Sequence, residues 1–113
     1  MSDLKTMSCT QPKKGDASLN LTEIDKFHRQ IPDWDIVEIE GVKQLTRQYR
    51  FSNFVSALEF TNRIGEMAEA EDHHPSVLTE WGKATVTWWT HAVNGLHLND
   101  FIAAAKSDEI FSS

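Results

Sequence analysis

These 113 residues spell a single domain in which helices and antiparallel hairpins alternate, in the order helix, hairpin, helix, hairpin, helix. A chain this short holds one core rather than two. Apolar residues recur at helical spacing in some stretches and at strand parity in the stretches between them, and glycines stand where each hairpin must reverse. Four Trp and six Phe supply the bulky burial that a chain with 40% hydrophobic residues needs.

Residues 1–17 lack hydrophobic periodicity and include Pro12 and Gly15, which reads as a flexible N-terminal tail, with the domain spanning 18–113. From Thr22 onward Ile24, Phe27 and Ile31 share a helix face; Thr22 with Asp25 approximates a capping box, and Pro32 ends the run. Trp34 anchors the first strand in the core. Ile36 and Val37 lead to a turn near Gly41, and Leu45, Tyr49 and Phe51 return along one strand face, where Arg47 breaks the pattern. Ser52 caps the next helix, whose apolar stripe is Phe54, Ala57, Leu58, Ile64, Met67 and Ala68, and which must stop before Pro75. Gly82 and Lys83 turn the second hairpin. Its Val77, Trp81, Val86 and Trp88 face the core, while Thr85, Thr87, Trp89 and His91 face away. Phe101, Ile102 and Ala105 form the buried side of a last helix that begins near Leu98.

The charge balance, 17 acidic against 11 basic side chains for a net −6, argues against direct nucleic-acid binding, because no dense run of Lys and Arg is present to neutralise phosphates. No apolar stretch has the length of a membrane span. The polar opening MSDLKTMSCTQPKKGDAS lacks the apolar segment of a signal peptide, so a cytoplasmic location is expected. The one cysteine, Cys9, excludes an intrachain disulfide and has no Cys or His near it in sequence, which reads as an incidental thiol.

The chemistry gathers at three of the five histidines. His73, His74 and His91 surround the second hairpin. With Gly82 and Lys83 at the turn, His74 faces His91 across the strands with Cβ atoms roughly 4.5–5.5 Å apart, His73 joins from the adjacent position, and the group lies away from the main core. Imidazoles both donate and accept protons near neutral pH, which suits acid–base catalysis. A metal would need convergent ligands, which His73, His74 and His91 with Asp72, Glu69 or Asp100 could supply. Adjacent residues on an extended segment point in opposite directions, which makes joint ligation by His73 and His74 awkward. Spacing leaves acid–base catalysis, a metal site and a structural cluster all open. His28 and His97 read as surface residues.

The run Glu69, Ala70, Glu71, Asp72, His73, His74, Pro75, followed by Thr90, His91, Gly95, Leu96 and Asp100, resembles the signature of the pterin-4a-carbinolamine dehydratases. The resemblance extends from Ser18 to Phe111. It implies an α+β domain with a four-stranded antiparallel sheet and helices packed on one face. It also implies an activity: loss of water from 4a-hydroxytetrahydrobiopterin to give quinonoid dihydropterin, in tetrahydrobiopterin recycling, with neither metal nor other cofactor. Carried over residue by residue, His73 and His91 form the acid–base pair and His74 completes the catalytic set by positioning the pterin. Asp72 and Thr90 line the substrate pocket with them, and Glu69 and Asp100 support the imidazoles by accepting a ring N–H. The chain departs from the animal pattern at Trp89, where a small residue is common, and at Ala92, where an acidic one is; Trp89 is read as packing. Two further readings accompany the enzyme: a pterin-binding protein of molybdopterin metabolism, and a protein-interaction module of the dimerisation-cofactor kind. The exposed edges of a four-stranded sheet favour a homo-oligomer, a dimer before a tetramer.

Overall fold

A computed structural model describes residues 3–13 and 15–113. Helix α1 (Leu21–His28) starts at Asn20, whose side chain accepts the Glu23 N–H while the Glu23 carboxylate accepts the Asn20 N–H. The expected cap at Thr22 and Asp25 is displaced, because Asn20 makes both reciprocal bonds of a capping box with the longer Glu. α1 also ends at His28 rather than at Pro32. A tight turn after it still delivers Ile31 into the core.

Strands β1 (Asp35–Ile39) and β2 (Val42–Arg50) join through Glu40 at φ 52° and Gly41 at φ 80°. Two consecutive left-handed residues match the twist of the strands they connect, which is why this hairpin closes where the glycine predicts. Helix α2 (Phe54–Glu71) is capped by Asn53, which accepts the Ser56 N–H at 2.8 Å, rather than by Ser52. Its buried side is Ala57, Phe60, Ile64 and Ala68, so Phe54 and Leu58 of the expected stripe lie exposed and Phe60 takes their place in the core.

Strands β3 (Ser76–Glu80) and β4 (Lys83–Trp88) turn at Trp81 and Gly82, one residue earlier than expected. Gly82 holds φ 77°. Val77 consequently faces Val86 instead of Trp88, a shift that keeps each side chain on its expected face of the sheet. Trp81 is the exception: expected in the core, it sits at the hairpin tip and is 72% exposed.

The sheet runs β1-β2-β4-β3, antiparallel throughout. On one face Leu45 opposes Trp88 and Tyr49 opposes Ala84, all buried beneath α2 and helix α3 (Leu98–Ser112). Arg47 lies on this buried face too. Its guanidinium reaches Asp108 of α3 at 2.7 Å and stacks over the Tyr49 ring, which satisfies a cation that the strand pattern leaves unexplained. Trp34 is buried as expected, and its indole N–H donates to the same Asp108 carboxylate.

Phe101, Ile102 and Ala105 of α3 are buried as expected, but so are Ala103 and Ala104. The sheet side of the helix accounts for only part of that burial, because a 3-10 turn at Leu4–Thr6 packs on α3 as well. Leu4 is 1% exposed. The core therefore draws on a segment ahead of Ser18, where Leu4, Met7 and Cys9 stand among polar residues with no periodicity to announce them. Among the described residues no helix is long and apolar enough to cross a membrane.

Candidate active site

α2 ends in a turn that aims the two adjacent histidines. Asp72 adopts the left-handed conformation at φ 52°; its N–H donates to the Glu69 carbonyl at 3.3 Å and the His73 N–H donates to the Ala68 carbonyl at 3.1 Å. This paired closure satisfies the last carbonyls of the helix and reverses the chain. The extended backbone that follows sends His73 inward and His74 outward, as alternation requires.

The His73 ring lies flat against Trp88, with centroids 5.3 Å apart and planes inclined by 23°. Its side chain is 11% exposed. The histidines are thus not all away from the core: His73 rests on one of its largest buried side chains. His73 Nε2–H donates to Asp100 Oδ1 at 2.6 Å. The other carboxylate oxygen, Oδ2, accepts the Thr90 hydroxyl at 2.8 Å and the His97 N–H at 2.9 Å. Asp100 has no exposed surface, and burial of a carboxylate would be costly without those three donors. Its place in the first turn of α3, at the positive end of the helix dipole, favours the same charge. Because Nε2 donates, the neutral His73 ring carries its free lone pair on Nδ1.

Thr90 is buried, and its N–H donates to the Gly95 carbonyl at 2.9 Å, closing a bridge that pins the connection between β4 and α3. Gly95 lies close to the segment before α1, where a Cβ would stand 3.2 Å from the Ser18 Cβ, a tight contact. His91 opens a 3-10 turn, His91–Val93, inside this loop. It is exposed, with its ring edge against Trp89 at 5.3 Å. The cross-strand pairing expected of His74 and His91 does not form, because the β3–β4 ladder ends at Ser76 and Thr87 and His91 has left the strand. His74 instead pairs on the exposed side with Glu69 through Nε2–H.

One carboxylate thus gathers His73 and Thr90, with His91 next in sequence to Thr90, while His74 and Glu69 form a separate outward pair and Asp72 occupies the exposed turn between them. Among the described residues no group of three His, Cys, Asp or Glu side chains converges in the manner of a metal site. His97 is not the surface residue that the sequence suggests. It is half-buried and caps α3: Nδ1 accepts the Asn99 N–H at 3.0 Å and its own N–H donates to Asp100. The spacing His97 to Asp100 is that of a capping box with His in the first position, a signal available in the sequence. His28 is half-buried as well, donating through Nε2 to the Trp34 carbonyl. No sequence signal marks Trp88 as the surface under His73, since strand alternation identifies it only as core.

The profile of the family described as pterin 4 alpha carbinolamine dehydratase matches residues 17–110. A protein of Syntrophotalea carbinolica, provisionally named as a pterin-4-alpha-carbinolamine dehydratase, is 51% identical over 97% of this chain and 98% of its own length. Another of Microcystis aeruginosa, with the same provisional name, is 49% identical over 98% and 96%. Among solved structures, a transcriptional coactivator/pterin dehydratase from Brucella melitensis superposes with a TM-score of 0.74 at 29% identity, covering 82% of this chain and 97% of its own. Profile, relatives and architecture agree: this chain belongs to the pterin-4a-carbinolamine dehydratase family.

Proposed function

We propose that this protein dehydrates 4a-hydroxytetrahydrobiopterin to quinonoid dihydropterin with its own side chains as acid and base. The observation that supports the reading best is the His73–Asp100 pair. A buried carboxylate that takes the Nε2–H fixes the imidazole in one tautomer and leaves Nδ1 as a proton acceptor on the opposite edge of the ring. In the proposed step Nδ1 of His73 takes the proton from pterin N5, and the freed electron pair forms the N5–C4a double bond. The C4a–O bond breaks, and the departing hydroxyl takes a proton from His91 and leaves as water. His91 is exposed and regains its proton from solvent, which also removes the one that His73 acquired, so the cycle closes without net change in the protein.

The remaining residues act around that pair. Thr90 works through Asp100 in this reading, because its buried hydroxyl is committed to the carboxylate. His74, held by Glu69, and Asp72 at the turn stand on the exposed side, where they bind and orient the pterin. β1 and β3, the two outer strands, offer the edges for the homo-oligomer included in this proposal; light scattering tests it. The functional test is spectrophotometric. Freshly generated carbinolamine is mixed with protein and quinonoid formation is followed. Acceleration that a chelator leaves intact is expected, and no acceleration by folded protein would overturn the assignment.

A further inference from the structure

We propose that residues 3–11 act as a strap that sets the His73–Asp100 distance, with Glu71 and Asn99 as the positioning residues that receive it. The strap is tied to both halves of the pair. The Cys9 N–H donates to Glu71 Oε1 at 2.7 Å, two residues ahead of His73 on the closing turn of α2. The Thr10 N–H donates to Asn99 Oδ1 at 2.9 Å, and Asn99 Nδ2–H donates back to the Thr10 carbonyl at 2.6 Å, directly beside Asp100 on α3. Asn99 is buried, so both polar ends of its amide depend on the strap.

α2 brings His73 and α3 brings Asp100, and the two are bonded across 27 residues of sequence. A direct tie between the ends of the two helices constrains their separation where the pair needs it. At the far end the strap is held by Leu4, buried in the core, and by Lys106 Nζ–H donating to the Lys5 carbonyl at 3.0 Å, well away from the histidines in sequence. The family profile matches residues 17–110, so the strap lies ahead of the matched region.

The test uses the full chain with Glu71→Ala, Glu71→Gln, Asn99→Ala and, as control, Thr61→Ala, which removes a hydroxyl bonded to Thr79 between α2 and β3, away from the strap. Each variant is first checked for folding by circular dichroism and urea titration. Small misplacement of a reacting group is expensive, so Glu71→Ala and Asn99→Ala are expected to lower kcat about tenfold with KM held within about twofold. Glu71→Gln, which keeps the acceptor oxygen, and Thr61→Ala are expected to stay near wild type. The ring-nitrogen resonances of His73 are expected to move in the two alanine variants alone. This inference rests on the dehydratase reading, but the resonances do not: inactive wild-type protein would overturn that reading, while the strap would be overturned by unmoved His73 resonances in folded Glu71→Ala. Equal loss of kcat in Thr61→Ala would also overturn it, since that would make the effect one of general stability.

Discussion

Asp100→Asn separates the geometry of the site from its charge. The amide has the shape of the carboxylate but only one acceptor oxygen, and the three donors decide where that oxygen goes. Two of them, the Thr90 hydroxyl and the His97 N–H, meet at Oδ2, at 2.8 and 2.9 Å. Placing NH₂ there would set donor against donor, so the amide oxygen stays and the NH₂ group faces His73 Nε2. Nε2 must then become the acceptor, and the proton moves to Nδ1, the nitrogen assigned to take the proton from N5. Exchange of charge-assisted bonds for neutral ones costs about 1–3 kcal/mol of stability. The catalytic loss is larger: a misprotonated base forfeits its share of the rate, on the order of 10²–10⁴-fold, or about 3–5 kcal/mol of barrier. Dehydration kinetics measure the loss, urea unfolding the stability, and long-range nitrogen–proton spectra the tautomer. A folded Asp100→Asn protein with kcat near wild type and Nε2 still protonated would refute the reasoning.

Other consequences are more local. Leu4→Ala is expected to cost about 2–5 kcal/mol by urea unfolding, since Leu4 is 1% exposed; a residue outside the core would cost nothing measurable. Asp72 holds a left-handed backbone, so Asp72→Gly should fold at least as stably as wild type, whereas Asp72→Val should lose about 1–2 kcal/mol. If Asp72 also touches the pterin, both changes raise KM. The Cys9 thiol is pushed up from 9.0 to about 12, chiefly by burial and then by the Glu71 carboxylate, and the Tyr49 hydroxyl is raised above its usual 10.0 by burial and by its bond to Asp108. For both groups the folded state holds the proton more tightly than the unfolded one. The stabilising contribution of Cys9 is intact below pH 9 and declines as pH rises from about 9 to 12, and that of Tyr49 begins to decline only above pH 10.0. Urea titrations should show falling midpoints across that window, and Cys9 should react slowly with disulfide reagents at pH 8 until the protein unfolds.

Most of the architecture was legible because it rests on local periodicity. Alternation in β2 and β4 placed Leu45, Tyr49, Val86 and Trp88 on the buried face, and the shifted turn at Trp81 and Gly82 preserved those faces because strand parity survives a two-residue slip. The same slip was enough to undo the expected meeting of His74 and His91. What escaped the sequence was non-local. Arg47 looked misplaced until Asp108, 61 residues away, received it. Leu4 stands with Met7 and Cys9 in a largely polar stretch, and its burial depends on α3, which no window around it contains. Asp100 was recognisable as an acid in a motif. Its work of joining His73, Thr90 and His97 became visible only once the loop closed by Thr90 and Gly95 brought α3 beneath the turn of α2.

The most direct test of the account is a kinetic cycle: kcat for carbinolamine dehydration by wild type, His73→Ala, His91→Ala and the double variant. If His73 and His91 act as base and acid in one transition state, wild type accelerates the reaction and each single variant loses about 10²–10⁴-fold. The double variant is then little slower than the worse single one, because partners in one step are not additive. A wild-type rate no faster than buffer, or either single variant turning over at the wild-type rate, would contradict it.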